Sequence, residues 1–158
     1  MDSRSVNKEI RERIKPLLKD AGFSRFTSRT SWRYATNRID VVNFQSFNSY
    51  LASAVGCTTN SFALRLGCYF TYIPYPHGAD RLQQKEGKLL PHEYACPIRR
   101  PLLRSISQPE FPRKDIWYVD PDGRSLSPVI SDSALAIVNL AFPWFERFSD
   151  VSRSCGRC

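Results

Sequence analysis

The first strong pattern along the chain is helical. Val6, Ile10, Ile14, Leu17 and Leu18 recur with a 3.6-residue period and make one apolar face. Ser3 or Ser5 is placed to cap the start, and Gly22 stands where a helix stops. Pro16 removes one backbone hydrogen bond and predicts a kink or a second short helix. A period of two follows. Phe26, Ser28, Thr30, Trp32 and Tyr34 share one strand face, and residues 39–47 form a second run across a hairpin turn at Ala35-Thr36-Asn37-Arg38. Residues 48–60, rich in Ser, Asn and Thr, read as a connection. Phe62, Leu64, Leu66, Cys68, Phe70 and Tyr72 then give the clearest strand, with an apolar face turned to a core.

Beyond that strand the pattern weakens. Pro74, Pro76, Gly78, Gly87 and Pro91 make residues 74–95 a long loop, either a lid or a solvated excursion, with a helical turn expected near 79–88. Residues 96–106 predict a fourth strand, put at a sheet edge by Pro97 and Pro101. Residues 116–119 predict a fifth, ended by the turn Asp120-Pro121-Asp122-Gly123. Leu135, Val138, Ala141 or Phe142, and Phe145 predict a closing helix over 132–150, capped by Ser131 or Asp132 and divided by Pro143. Helix, consecutive strands, helix is an α+β order: an antiparallel sheet of about five strands packed against an N-terminal and a C-terminal helix. Residues 1–150 form the single expected domain, and 151–158 a mobile tail.

Composition narrows the class. Ten Phe, seven Tyr and three Trp are too many for a solvated coil. The most apolar stretch, residues 134–145, is broken by Asn139 and Pro143 and is too short to span a bilayer, so no membrane partner is expected. The first twenty residues carry charge throughout and lack the apolar core of a leader, which makes the cytoplasm the expected location. An odd set of five cysteines without an export signal predicts reduced thiols, with Cys57, Cys68 and Cys96 serving as small apolar residues.

Four segments in order resemble a known family. They are the helix end Ile14-Lys15-Pro16-Leu17-Leu18-Lys19-Asp20-Ala21-Gly22-Phe23; Trp32 with Asp40-Val41-Val42-Asn43-Phe44-Gln45-Ser46; Ser61-Phe62-Ala63-Leu64-Arg65-Leu66-Gly67-Cys68-Tyr69; and Cys96-Pro97-Ile98-Arg99-Arg100-Pro101-Leu102 with Pro143-Trp144-Phe145-Glu146-Arg147-Phe148. Together they resemble the bacterial domain-of-unknown-function 4304 family over most of residues 8–150. The resemblance implies one compact domain with no established activity or cofactor, and no catalytic residue to carry over. It also implies a His–Ile–Arg-like pattern where this chain has Pro97-Ile98-Arg99, so the imidazole is lost here. Pro16 matches a shared feature.

Charge then supplies the candidate sites. The chain carries a net +8, and residues 1–38 hold ten Lys and Arg against four Asp and Glu, a net +6. Arg25, Arg29 and Arg33 keep one parity, opposite to Trp32 and Tyr34, and are expected as a solvent-facing row able to meet phosphates. Arg99, Arg100 and Arg104 make a second basic cluster near Arg113 and Lys114. Asn43, Gln45 and Arg99 are polar within apolar strands; they are expected either to share a cleft that binds a small anion or to satisfy one another as a buried network. His92 and Cys96, or Cys155 and Cys158, are at best half a metal site, and no nucleophile motif or phosphate-cradling glycine loop occurs; no metal, cofactor or catalytic residue is assigned. The resulting expectation is a noncatalytic module for a macromolecular partner. The alternatives are nucleic acid or another polyanion on the Arg-rich face, and an enzyme or small-anion site at the cleft. The oligomeric state is not readable.

Overall fold

The structure is a computed structural model that describes residues 2–73 and 84–149. The N-terminal helix runs as α1 (Ser3–Glu9), a π-helical turn (Ile10–Ile14) and α2 (Lys15–Asp20). Its cap is Asp2, not Ser3 or Ser5: the Asp2 carboxylate accepts from the Arg4 and Ser5 amides at 3.1 and 3.3 Å. Pro16 breaks nothing, because the turn before it is widened. The Lys15 amide reaches back five residues to the Ile10 carbonyl, which makes room for the proline ring over the preceding turn. Gly22 adopts φ +95°, which ends the helix in the left-handed conformation.

The main sheet is antiparallel throughout, in the order β1 (Arg25–Phe26), β2 (Thr30–Tyr34), β3 (Arg38–Ser46), β4 (Phe62–Phe70) and β7 (Ile98–Pro101). The strand expected from Phe26 to Tyr34 is instead two strands. Thr27 folds the chain back: its amide donates to the Thr30 carbonyl at 2.8 Å, and its hydroxyl accepts from the Thr30 amide at 2.9 Å. The expected connection at 48–60 contains a helix, α3 (Ser49–Val55), capped by the Asn48 side chain on the Leu51 amide at 2.8 Å. The expected fifth strand at 116–119 is reduced to one bridge, between Trp117 and Phe62. The described part of the 74–95 segment is ordered by a small hairpin, β5 (Gln84–Lys85) with β6 (Lys88–Leu89), where helix was expected; residues 74–83 lie outside the described residues.

β7 is an edge strand, as Pro97 and Pro101 predicted. The Leu102 amide donates to the Leu64 carbonyl at 3.0 Å, so even-numbered positions face β4. Positions 97, 99 and 101 turn outward, and two of them are prolines without an N–H.

Both faces of the sheet are covered. Val42, Phe44, Phe62, Leu64, Leu66, Cys68 and Phe70 pack on the helices, against Val6, Ile10, Ile14, Leu18, Val129, Ile130, Ile137 and Phe145. The closing helix runs as α4 (Leu126–Ala136), a second π-helical turn (Ile137–Ala141) and α5 (Phe142–Glu146). It starts six residues before the expected cap at Asp132, and Pro143 does not divide it, for the reason found at Pro16: the Phe142 amide reaches back to the Ile137 carbonyl. By length and composition its 21 residues could cross a membrane, but one side of it packs into the core against the sheet. Asp132 acts within this helix as a clamp, accepting from the Ser105 and Ile106 amides and from the Trp117 indole at 3.1, 3.0 and 2.8 Å.

The opposite face is covered by two flaps. Trp32, Ile39, Val41 and Tyr69 lie under Leu90 and Cys96, and Ala63 lies under Phe111 and Ile116. The first flap is tied by the Trp32 indole to the Pro91 carbonyl at 2.9 Å and by the Tyr34 hydroxyl to the Leu89 carbonyl at 2.7 Å. It also needs Gly67, since a Cβ there would stand 2.6 Å from the Cys96 sulfur. The second flap is held by buried Arg104, whose guanidinium donates to the carbonyls of Ile106, Gln108, Phe111 and Arg113.

Candidate functional site

The expected arginine row is not a row. The β1–β2 turn places Arg25 and Arg33 on opposite faces and leaves Arg29 in the loop between them. Arg25, opposite Trp32 on the flap face, pairs with Glu86 of the small hairpin at 2.6 Å, and that bond holds the Glu86 carboxyl below its ordinary value. Arg29 donates to Asn7 of α1, and burial lowers its pKa. Arg33 points into the helix side. Its guanidinium lies over Phe23 and Phe145 at 5.1 and 5.5 Å, donates to the Ala21 carbonyl at 3.0 Å, and pairs with Asp40 at 2.8 Å. Asp40 is 1% exposed and is shared with buried Arg38, also at 2.8 Å. Burial pushes the Asp40 carboxyl up, and the two guanidiniums pull against that shift. All three arginines are thus built into the fold.

The second basic cluster is dispersed in the same way. Arg104 is the staple of its flap, and Arg113 is held by Asp115 through two bonds of 3.1 and 2.7 Å. Cys57, Cys68 and Cys96 are free thiols. Burial raises all three, Cys96 to about 12, so they stay protonated near neutrality. The Cys155–Cys158 pair lies outside the described residues, and among those described no group of three or more metal-ligating side chains assembles.

Asn43, Gln45 and Arg99 do come together. With Thr30, His92, Glu93 and Tyr94 they line a cleft of about 240 Å³. The alternation that sends Val42 and Phe44 into the helix core sends Asn43 and Gln45 to the flap face. There the β2–β3 register sets Thr30 opposite Asn43, whose amide donates to the Thr30 hydroxyl at 2.8 Å. Arg99 enters from the outward side of β7 and forks onto Glu93 through bonds of 2.8 and 3.1 Å. That bond raises the Arg99 pKa. On the rim the His92 and Tyr94 rings stack in parallel at 5.0 Å, with Tyr94 66% exposed. Sequence reasoning missed Thr30, His92, Glu93 and Tyr94 as cleft residues. Thr30 shares its face with Trp32 and Tyr34 as expected, but that pattern does not mark it as a cleft residue, and the other three lie in a loop that no periodicity describes.

The cleft therefore offers side-chain amides, the hydroxyls of Thr30 and Tyr94, an aromatic pair and one arginine–glutamate pair. No curated protein and no solved structure matches the chain. Residues 14–147 match the family described as Domain of unknown function (DUF4304), and the match covers α2, all five sheet strands, the closing helix and every residue of the cleft. The chain is a member of the DUF4304 family.

Proposed function

We propose that the protein is a noncatalytic binding module whose cleft recognises a protein partner. The carrying observation is the cleft itself: about 240 Å³, floored by the sheet through Thr30, Asn43, Gln45 and Arg99, and rimmed by exposed Tyr94. That volume is below the range that encloses a drug-sized ligand and suits one or two side chains of a larger molecule. The chemistry of the lining supports recognition over catalysis. The Thr30 hydroxyl is engaged by Asn43, Glu93 is held on Arg99, and His92 stacks on Tyr94 (no nucleophile is paired with a base). The placement of Arg25, Arg29 and Arg33 gives no support to binding nucleic acid through them. We place the module in the cytoplasm, in keeping with its free thiols.

The test is a photo-crosslinking residue at position 94 in the source organism. One protein is expected to cross-link, and Asn43→Ala with Gln45→Ala should abolish it while the fold stays intact by circular dichroism. A cross-link that survives both substitutions defeats the reading. So does salt-sensitive capture of nucleic acid in place of a protein.

A further inference from the structure

Arg65 enters the flap face beside the cleft. In the β4–β7 register it stands opposite Pro101, and Arg99 stands opposite Gly67, so the two arginines are diagonal neighbours. Diagonal positions lie about 7–8 Å apart, within reach of long side chains. On the other side of Arg65 stands Asn43, its partner in the β3–β4 register. Two arginines and a cleft asparagine are thus neighbours on one face of the sheet.

The charges there do not balance. Arg65 has Asp115 as its ion-pair partner, at 3.6 Å, too long for a hydrogen bond. Both oxygens of Asp115 are already taken by Arg113, which forks onto them. Glu93 neutralises Arg99 but is nearly covered at 10% side-chain exposure, whereas the Arg99 side chain is 48% exposed. Among the described residues, Arg65 and Arg113 thus share one carboxylate beside the cleft. Glu93 already shows, from inside the fold, how a carboxylate sits on Arg99.

We propose that the cleft takes a carboxylate from an acidic segment of the partner, held between Arg65 and Arg99 with the Asn43 and Gln45 amides beside it. This rests on the reading of the cleft as a recognition site. Glu93 is then the internal competitor: an incoming carboxylate shares or displaces it, and the fork geometry suits either.

The experiment is a nuclear magnetic resonance titration of the full chain, following the Asn43 and Gln45 side-chain amides. The probes are an N-acetylated tetraglutamate peptide and, separately, inorganic phosphate. The peptide is expected to shift both amides saturably. Arg65→Gln and Arg99→Gln should each weaken it about tenfold, the loss of one charge-assisted contact. Glu93→Gln should tighten it by freeing the Arg99 fork, a gain that misfolding cannot mimic. Unmoved amides, an unchanged affinity in the Arg65→Gln, Arg99→Gln double variant, or binding of phosphate without the peptide would each overturn the assignment. A partner that cross-links at position 94 while the peptide leaves the amides unmoved would sink this inference and leave the binding reading standing.

Discussion

Two arginine–carboxylate pairs sit on opposite faces of the same sheet. Arg33 meets Asp40 at 2.8 Å with the two side chains 17% and 1% exposed. Arg99 meets Glu93 at the same 2.8 Å with 48% and 10% exposed. The bonds are alike, and solvent sets them apart. Asp40 is enclosed by Arg33, Arg38 and the helices, so removing one partner strands buried charge. Arg99 keeps half its surface in water, so solvent weakens what its bond to Glu93 contributes. One pair is enclosed by the fold, and the other opens to solvent on its arginine side.

The strongest challenge to that comparison is Asp40→Asn. It leaves Arg33 and Arg38 without their counter-charge and is expected to cost about 3–5 kcal/mol in urea unfolding. A cost no larger than that of Arg99→Gln would mean that burial does not separate the two pairs. Gly67→Ala comes next. Its new Cβ meets the Cys96 sulfur at 2.6 Å, so the first flap must shift, at a cost of about 1–3 kcal/mol. Adding Cys96→Ala removes the sulfur but keeps a Cβ at 2.9 Å, so it should recover part of that loss, and full additivity of the two changes would disprove the contact as its cause.

A smaller effect comes from alkaline pH. Burial raises the Cys96 thiol from its ordinary 9.0 to about 12. Its contribution to stability is complete below the ordinary value and is lost as pH rises toward the folded one. The urea midpoint should therefore fall between pH 8 and pH 10.5 by less in Cys96→Ala than in the native chain, and iodoacetamide at pH 8 should spare both Cys96 and Cys68 in the folded protein. Smallest of all, Arg99→Gln should change stability by less than about 1 kcal/mol while weakening the tetraglutamate interaction. A large loss of stability there would return Arg99 to the structural class.

Much of this frame was legible in the residue pattern. The face of the first helix, the long β3 and β4, and the edge position of β7 all follow from periodicity and from two prolines; the closing helix departs from its expected face, turning Leu135 and Val138 to solvent and burying Val129, Ile130 and Ile137 beside Ala141 and Phe145. Asn43, Gln45 and Arg99 stood out as polar residues in apolar strands, and the structure brings them to one cleft. The arginine row failed because Thr27-Ser28-Arg29 turns without Gly, Pro or Asn, so an unbroken period of two concealed a hairpin. Once the chain folds back, Arg25 and Arg33 land on opposite faces. The α3 helix was hidden by its Ser and Asn content, although Asn48 and Gly56 bracket it as caps. Nothing local foretells Asp132 clamping a flap more than twenty residues away, or Arg104 bonding four carbonyls; those contacts exist only after the chain has folded.

The outward rim of β7 has a consequence for how these molecules behave in a crowd. A free strand edge invites another chain to dock its own backbone and start a fibril. Here Pro97 and Pro101 flank Arg99, so that rim offers one amide where three would stand, beside a side chain that keeps its charge. The other rim, β1, is two residues long. The sheet stays open at both ends and yet gives a stray strand few amides to zip against, which guards the edge beside Arg99 against strand addition.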